Sequence, residues 1–219
     1  MSVSIYMNLM NHRDEQEQID EAHFFAQCIS HHAQDSQGEL SAALGLSQTQ
    51  FRMLLNRYFA KVMDNKPLDR CIKVHLNRAV NETFLCQCHS GKNNTSSLIR
   101  VQEVLDMQTL LLDHCAHHGE QFHWMAVIIA TACMGNNHLW QDLGLSNRDE
   151  LNQVISHYFP ILFNKNTANM KWKKFFYKQL CDMSAVSLCL APTCDVCFDY
   201  EACFGSEEPV QWKLLSNQN

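Results

Sequence analysis

The apolar residues of the chain recur at helical spacing along most of its length. Over 47–59 they follow an i, i+3, i+4, i+7 pattern, and Ser47 with Gln50 forms the sequence signature of a capping box at a helix start. The same periodicity occurs in three further segments: 68–86, 98–115 and 166–182. Because only 7 Gly and 4 Pro interrupt the chain, few turns are available for a many-stranded sheet, and the pattern predicts an all-α fold.

An internal repeat adds to this prediction. The sequence Leu44-Gly45-Leu46-Ser47 recurs as Leu143-Gly144-Leu145-Ser146, and each copy is followed by a helical pattern that ends in Tyr-Phe. Each copy is also preceded by an amphipathic stretch, at 19–29 and 122–133. We therefore predict a pseudo-symmetric helical bundle built from two helix–Leu-Gly-Leu–helix units.

The pattern also suggests the domain limits. The helical period ends at residue 184, where an irregular cysteine-rich segment begins. We assign 19–205 to a single helical domain, flanked by an N-terminal tail at 1–18 and a C-terminal tail at 206–219. The polar run 87–97 is expected to form an exposed loop, and Pro160 is expected to end the last helix of the second unit.

Charge and length restrict the partners and the compartment. The 17 basic and 23 acidic residues give a net charge of −6, which argues against nucleic acid or an anionic membrane as a partner. The longest apolar run, around 124–134, is too short to cross a bilayer. Residues 1–18 lack the pattern of an export signal, so we expect a cytoplasmic protein with reduced thiols.

Cysteine and histidine are unusually abundant, with 11 and 12 copies. Four cysteines follow a C-x4-C-x2-C-x5-C spacing in one short segment: Cys189, Cys194, Cys197 and Cys203. Four thiolates on an irregular loop can enclose an iron-sulfur core. We favour this over a structural zinc site, because only the central pair forms a C-x2-C knuckle. A fortuitous group of core thiols is the remaining alternative.

A basic helix precedes this segment. Four lysines occur within eight residues: Lys171, Lys173, Lys174 and Lys178. They could compensate the negative charge of a thiolate-bound cluster or attract an oxyanion. A solvated basic face on an amphipathic helix is the alternative interpretation.

Three segments together resemble one known family. Residues 170–181, MKWKKFFYKQLC, the cysteine segment ending DYEACFG at 205, and HLWQDLGL at 138–145 are similar to sequences of the nitrogen-fixation protein NifQ family. The resemblance is strong over 122–205 and looser over 98–118 and 43–59. It implies a cytosolic bacterial protein that carries a molybdenum-iron-sulfur cluster and delivers molybdenum to the iron-molybdenum cofactor of nitrogenase.

The resemblance also implies site residues and partners. By position, Cys189, Cys194, Cys197 and Cys203 match the cluster ligands of the family, whereas the block at 171–174 matches a basic-aromatic segment without an assigned role. The implied partners are molybdate and the cofactor-assembly proteins that accept molybdenum, a scaffold and dinitrogenase reductase. We expect a metal-cluster carrier rather than an enzyme, because the chain lacks hydrolase and phosphate-loop motifs. A small [4Fe-4S] electron-transfer protein and a zinc-stapled interaction module remain the alternatives.

Other cysteines and histidines are weaker candidates for metal ligands. His114 and His118 are four residues apart on a helix expected to end near Gly119, where they would share a face and could hold a metal or molybdate. A second group lies at the edge of the polar loop: Cys86, Cys88 and His89. Three further cysteines are expected to pack within the helical core: Cys28, Cys133 and Cys181.

Overall fold

A computed structural model describes residues 5–35, 40–64, 94–183 and 200–205, and all regular elements in these ranges are α-helices. The first group of helices is α1 (Ile5–Asn11), α2 (Ile19–Asp35), α3 (Leu40–Ala43), α4 (Gln48–Tyr58) and α5 (Ala60–Asp64). The second group is α6 (Asn94–Asp113), α7 (Glu120–Cys133), α8 (Leu139–Asp142), α9 (Arg148–Tyr158) and α10 (Pro160–Lys165). The chain continues with α11 (Trp172–Met183) and α12 (Tyr200–Phe204). The prediction of an all-α fold is confirmed for this part of the chain.

Both Leu-Gly-Leu motifs form the same kind of turn between a short helix and a longer one. Gly45 and Gly144 have φ angles of +72° and +73°, a left-handed conformation that favours glycine. The leucine after each glycine donates its N–H to a carbonyl in the preceding short helix: Leu46 to Ser41 at 2.9 Å and Leu145 to Trp140 at 2.8 Å. The short helices α3 and α8 were not expected, and they separate each motif from the amphipathic helix before it.

Each glycine turn packs against the long helix of the other group. A Cβ atom on Gly45 would lie 2.0 Å from Oγ1 of Thr131 on α7, and one on Gly144 would lie 2.2 Å from Cβ of His31 on α2. Such distances leave no room for a side chain. The two groups of helices are thus joined by reciprocal close contacts, α3–α4 to α7 and α8–α9 to α2.

Helices α4 and α9 begin with side-chain caps. The Ser47 Oγ accepts from the Gln50 N–H at 3.2 Å and the Gln50 side chain accepts from the Ser47 N–H at 2.9 Å, so the predicted capping box is confirmed. Asn147 caps α9 through the Glu150 N–H at 2.9 Å. The expectation that a helix ends at Pro160 is confirmed, since α9 ends at Tyr158. Pro160 also begins α10, which was not expected, because proline lacks only an N–H that the first helical position leaves unpaired.

Other boundaries differ from the sequence-based expectations. Helix α6 begins at Asn94, inside the run predicted as a loop, because Asn, Thr and Ser are also favoured where helices start. Helix α11 begins six residues after the predicted start at 166. Part of the segment assigned to an N-terminal tail forms α1, whose Leu9 is buried in the core. The helix predicted over 68–86 lies outside the described residues.

Aromatic rings from both groups of helices meet in the core. Phe25 on α2 is fully buried, and its ring centroid lies 5.0 Å from that of Tyr58, 6.3 Å from that of Tyr158 and 6.4 Å from that of Trp124. Cys28 and Cys133 are buried as predicted, whereas Cys181 is only half-buried. Burial raises the pKa of the Cys28 thiol and of the Cys133 thiol to about 12. Both thiols are therefore protonated packing groups at neutral pH. None of the described helices is long and apolar enough to cross a membrane.

Two acid–histidine pairs tie α2 to α9. His157 Nε2 donates to Oε1 of the buried Glu21 at 3.0 Å, and His23 Nε2 donates to Oε1 of Glu150 at 2.6 Å. The hydroxyl of Tyr58 also donates to Glu21, at 2.5 Å. Burial raises the pKa of Glu21, but the hydrogen bonds from His157 and Tyr58 outweigh it and hold the pKa below its usual range. Glu21 is therefore an ionised carboxylate inside the bundle.

The hydroxyls of Tyr58 and Tyr158 provide a matched test of this core network. Tyr58→Phe leaves a buried carboxylate short of one donor and should lower the free energy of unfolding by about 1–3 kcal/mol. Among the described residues the Tyr158 hydroxyl has no hydrogen-bond partner, so Tyr158→Phe should change it by less than about 0.5 kcal/mol. Urea denaturation of the metal-free proteins, followed by circular dichroism, measures both. Equal destabilisation would contradict the assigned hydrogen bond.

Candidate functional site

Of the four cysteines in the C-terminal motif, the structure describes Cys203. This residue lies on α12 and is half-buried against the edge of the apolar core. The other predicted ligands lie outside the described residues: Cys189, Cys194 and Cys197. The same holds for the second group of candidates: Cys86, Cys88 and His89. The described part of the candidate site therefore consists of Cys203 and the residues that contact its helix.

Lys171 connects the cysteine-bearing helix α12 to α11. Its main-chain N–H donates to the carbonyl of Cys203 at 2.8 Å, and its Nζ donates to the carbonyl of Glu201 at 3.1 Å. Its own carbonyl accepts from the Phe175 N–H at 2.9 Å, which places Lys171 at the start of α11. Carbonyls in the last turn of a helix lack donors within that helix. The Cys203 carbonyl is one of these, and the Lys171 N–H supplies its donor; the Glu201 carbonyl accepts from Lys171 Nζ in addition to the Gly205 N–H.

The segment before Lys171 is fixed to the rest of the bundle. The Asn166 side chain accepts from the Met170 N–H and donates to the Met170 carbonyl, both at 2.8 Å. Arg148, the first residue of α9, donates from Nη2 to the carbonyls of Asn169 and Met170, both at 2.9 Å. The connection from α10 to α11 is thereby anchored to α9.

The aromatic side chains of α11 form part of the core. Trp172 is buried, and its indole N–H donates to Oδ1 of Asn152 on α9 at 2.8 Å. Its ring lies nearly parallel to that of Phe163, with centroids 6.2 Å apart. Phe175 and Phe176, on the same side of α11, are also buried. The aromatic residues of the basic-aromatic block thus pack α11 onto α9 and α10.

The lysines of α11 have different environments. Lys173 Nζ contacts Oδ2 of Asp142 at 2.5 Å and donates to the carbonyl of Gly135 at 2.9 Å. Lys178 contacts Asp182 at 3.4 Å, and Lys174 is exposed. Lys173 and Lys178 each contact a carboxylate, whereas the side chain of Lys171 donates to a carbonyl of the cysteine-bearing helix. The block is therefore not a uniform solvated face.

A cleft of about 320 Å³ opens beside the same helix. It is lined by residues from α6, α7 and α11: Glu103, Cys133, Met134, Gly135, Lys173, Lys174 and Tyr177. The Tyr177 hydroxyl donates to Oε1 of Glu103 at 2.5 Å. With Glu103 in its wall and Asp142 bound to Lys173, the cleft carries both signs of charge, so it is not a concentrated anion site.

The predicted second site rests on a helix that ends earlier than expected. Helix α6 ends at Asp113, so His114 and His118 do not share a helix face. His114 donates from Nδ1 to the Leu110 carbonyl at 2.8 Å, and its Nε2 lies 3.1 Å from Nζ of Lys165. His118 lies instead beside the Cys115 thiol. In the part of the chain that the structure describes, no group of three or more His, Cys, Asp or Glu side chains could hold a metal ion.

In the described residues, fold and site together define a class: a bundle of α-helices in which a basic and aromatic helix anchors a short helix that bears a cysteine. The sequence profile of the NifQ family matches residues 24–205. The chain belongs to the NifQ family of nitrogen-fixation proteins.

Three curated relatives illustrate the similarity. The chain is 44% identical over 109 residues to Protein NifQ of Azotobacter vinelandii, which covers 50% of this chain and 56% of that protein. It is 34% identical over 182 residues to a NifQ homologue of Sinorhizobium fredii, covering 78% and 65%, and 49% identical over 81 residues to Protein NifQ of Klebsiella pneumoniae, covering 36% and 48%. The matches thus span about half to two thirds of the length of these relatives. No solved structure matches the chain.

Several contacts around the site could not be found from the sequence. Arg148, Asn152 and Asn166 hold α11 and its preceding segment, yet each resembles an ordinary surface residue when its neighbours in space are unknown. The sequence did contain a signal for one of the contacts. Asp142, in the upstream segment that resembles the family, contacts Lys173 in the basic-aromatic block, so these two family-like segments form one contact.

Lys173 and Lys174 allow a test of this contact with the same chemical change. Lys173→Met keeps most of the aliphatic stem but removes the donor to Asp142 and Gly135, and should lower the free energy of unfolding by about 1–3 kcal/mol. Lys174→Met should change it by less than about 0.5 kcal/mol, because this side chain is exposed. Denaturant unfolding of both variants measures the difference. A Lys173 variant as stable as the Lys174 variant would contradict the assigned ion pair.

Proposed function

We propose that this protein is a carrier that binds a molybdenum-iron-sulfur cluster as cargo and donates molybdenum for biosynthesis of the iron-molybdenum cofactor of nitrogenase. The cargo is held by Cys189, Cys194, Cys197 and Cys203. Thiolates are soft ligands suited to iron-sulfur clusters. The protein acts as a donor of metal and not as an enzyme that turns over a substrate.

The observation that carries this proposal is the family match. The matched residues, 24–205, include all four cysteines of the C-x4-C-x2-C-x5-C motif together with the basic-aromatic helix before it. Membership of the family implies a role in nitrogen fixation. The four cysteines support a metal-sulfur cluster as the cargo, because thiolates are the usual ligands of such clusters.

The position of Cys203 fits a cargo site better than a core thiol. Cys28 and Cys133 are almost completely buried, whereas Cys203 is half-buried at the rim of the apolar core. A thiol at the rim can contact a bound cluster on one side and the folded protein on the other. The cargo then remains accessible to an acceptor protein, as a donor requires.

The proposal includes a compartment and partners. Molybdenum enters as molybdate, and the acceptors are the cofactor-assembly proteins, a scaffold and dinitrogenase reductase, in the cytoplasm. The net charge of −6 opposes binding to nucleic acid or anionic lipid. Recognition of acceptors therefore relies on protein–protein contacts.

Metal analysis of the anaerobically purified protein tests the proposal. We expect iron, acid-labile sulfide and molybdenum in a brown protein, and we expect Cys194→Ala and Cys203→Ala to lose these metals while the helical circular dichroism survives. Cys115→Ala is the matched control, because Cys115 lies outside the motif beside His118, and it should retain them. Full metal content in a motif variant would contradict the ligand assignment.

The same measurement separates the two alternative functions. Iron and sulfide without molybdenum would indicate a small [4Fe-4S] electron-transfer protein. A colourless protein with about one zinc ion per chain would indicate a zinc-stapled interaction module. Either result would overturn the molybdenum-carrier proposal.

A further inference from the structure

The helix that bears Cys203 is too short to be stable alone. Helix α12 has five residues, and isolated helices of this length do not persist in water. Its position must therefore come from contacts with the rest of the protein. Lys171, at the start of α11, donates two hydrogen bonds to main-chain carbonyls of α12.

The two hydrogen bonds from Lys171 act on the part of α12 next to the thiol. Its N–H binds the carbonyl of Cys203 itself, and its Nζ binds the carbonyl of Glu201. The Gly205 N–H also donates to the Glu201 carbonyl, at 2.9 Å, closing the last turn. A positive charge at the carboxyl end of a helix is favourable because the carbonyl ends carry partial negative charge. Lys171 therefore fixes the main chain on both sides of residue 202.

Lys171 is itself held by the helical bundle. The preceding residue, Met170, is bound through its N–H and carbonyl by Asn166, and its carbonyl also accepts from Arg148. The following residue, Trp172, is buried and bound to Asn152. A residue fixed on both sides in this way can transmit the rigidity of α9 to α12.

We propose that Lys171 is a positioning residue that holds Cys203 in place as a ligand for the metal-sulfur cargo. The inference rests on the proposed function only in taking Cys203 as a ligand. The main-chain donor is available from any residue except proline, whereas the side-chain donor requires a long cationic side chain. The ammonium group also adds positive charge to the helix that carries an anionic, thiolate-bound cargo.

Thiol reactivity in the metal-free protein tests the positioning by Lys171. The reduced full-length chain is treated with a maleimide under native conditions, and the modification rate of Cys203 is followed by peptide mass spectrometry. Lys171→Met should raise this rate about fivefold, the change expected when one charge-assisted hydrogen bond no longer opposes local opening. Lys171→Arg should restore a rate within about twofold of the unsubstituted protein, because arginine keeps a long cationic donor.

Lys174→Met is the matched control. Lys174 is exposed and lies three residues after Lys171, so this substitution removes the same charge from a nearby position. It should leave the Cys203 rate unchanged, and both methionine variants should keep the helical circular dichroism. An unchanged rate in Lys171→Met, or an equal increase in Lys174→Met, would overturn the inference.

A second measurement uses the anaerobically isolated protein with its cargo. Lys171→Met should release iron to a chelator about fivefold faster than Lys174→Met, in parallel with the thiol rates. Faster thiol modification without faster iron release would overturn the role in cargo binding. The two proposals fail separately: absence of cargo from the unsubstituted protein would refute the proposed function, whereas the maleimide rates would still decide whether Lys171 holds Cys203.

Discussion

The close packing of each glycine turn on the opposite group of helices is the constraint on which the architecture depends. Gly45 lies against α7 and Gly144 against α2, at distances that leave no space for a Cβ atom. Helices α4 and α9 start just after these turns, so their positions follow from the same contacts. Hydrogen bonds from His157 to Glu21 and from His23 to Glu150 then secure α9 against α2.

Helix α9 links this framework to the candidate site. Its first turn holds the segment before α11 through Arg148, and the next turn receives the indole of Trp172 through Asn152. Lys171 lies between these two contacts and binds the helix that carries Cys203. A predicted ligand at the rim of the apolar core is thus connected, residue by residue, to the helical bundle. This arrangement suits a carrier, which needs a defined ligand position at an accessible surface.

Local signals in the sequence predicted part of this structure. The capping box at Ser47 and the burial of Cys28 and Cys133 depend on short-range periodicity, and the structure shows all three. Signals at helix ends predicted less: α9 ends before Pro160 as expected, but Pro160 also starts α10, and α6 stops before His114 and His118.

Long-range contacts of the site could not be predicted at all. The sequence marks Lys171 as part of a family-like block, but its partner Glu201 is 30 residues away. Similarly, the sequence around Arg148 does not distinguish it from a surface arginine, and its role is evident only from its contact with Met170. Such contacts depend on how whole helices pack against one another. The hydrophobic pattern identifies the apolar face of each helix but not the helix that this face contacts. The ligand spacing is therefore visible in the sequence, whereas the support for a ligand becomes visible only in the fold.

X-ray absorption at the molybdenum edge of the anaerobically isolated protein tests the central claim most directly, because it reports the neighbours of the metal itself. A cluster cargo held by cysteine thiolates predicts sulfur atoms in the first shell around molybdenum and iron atoms beyond them. A first shell of oxygen atoms alone, with no iron neighbour, would contradict the account.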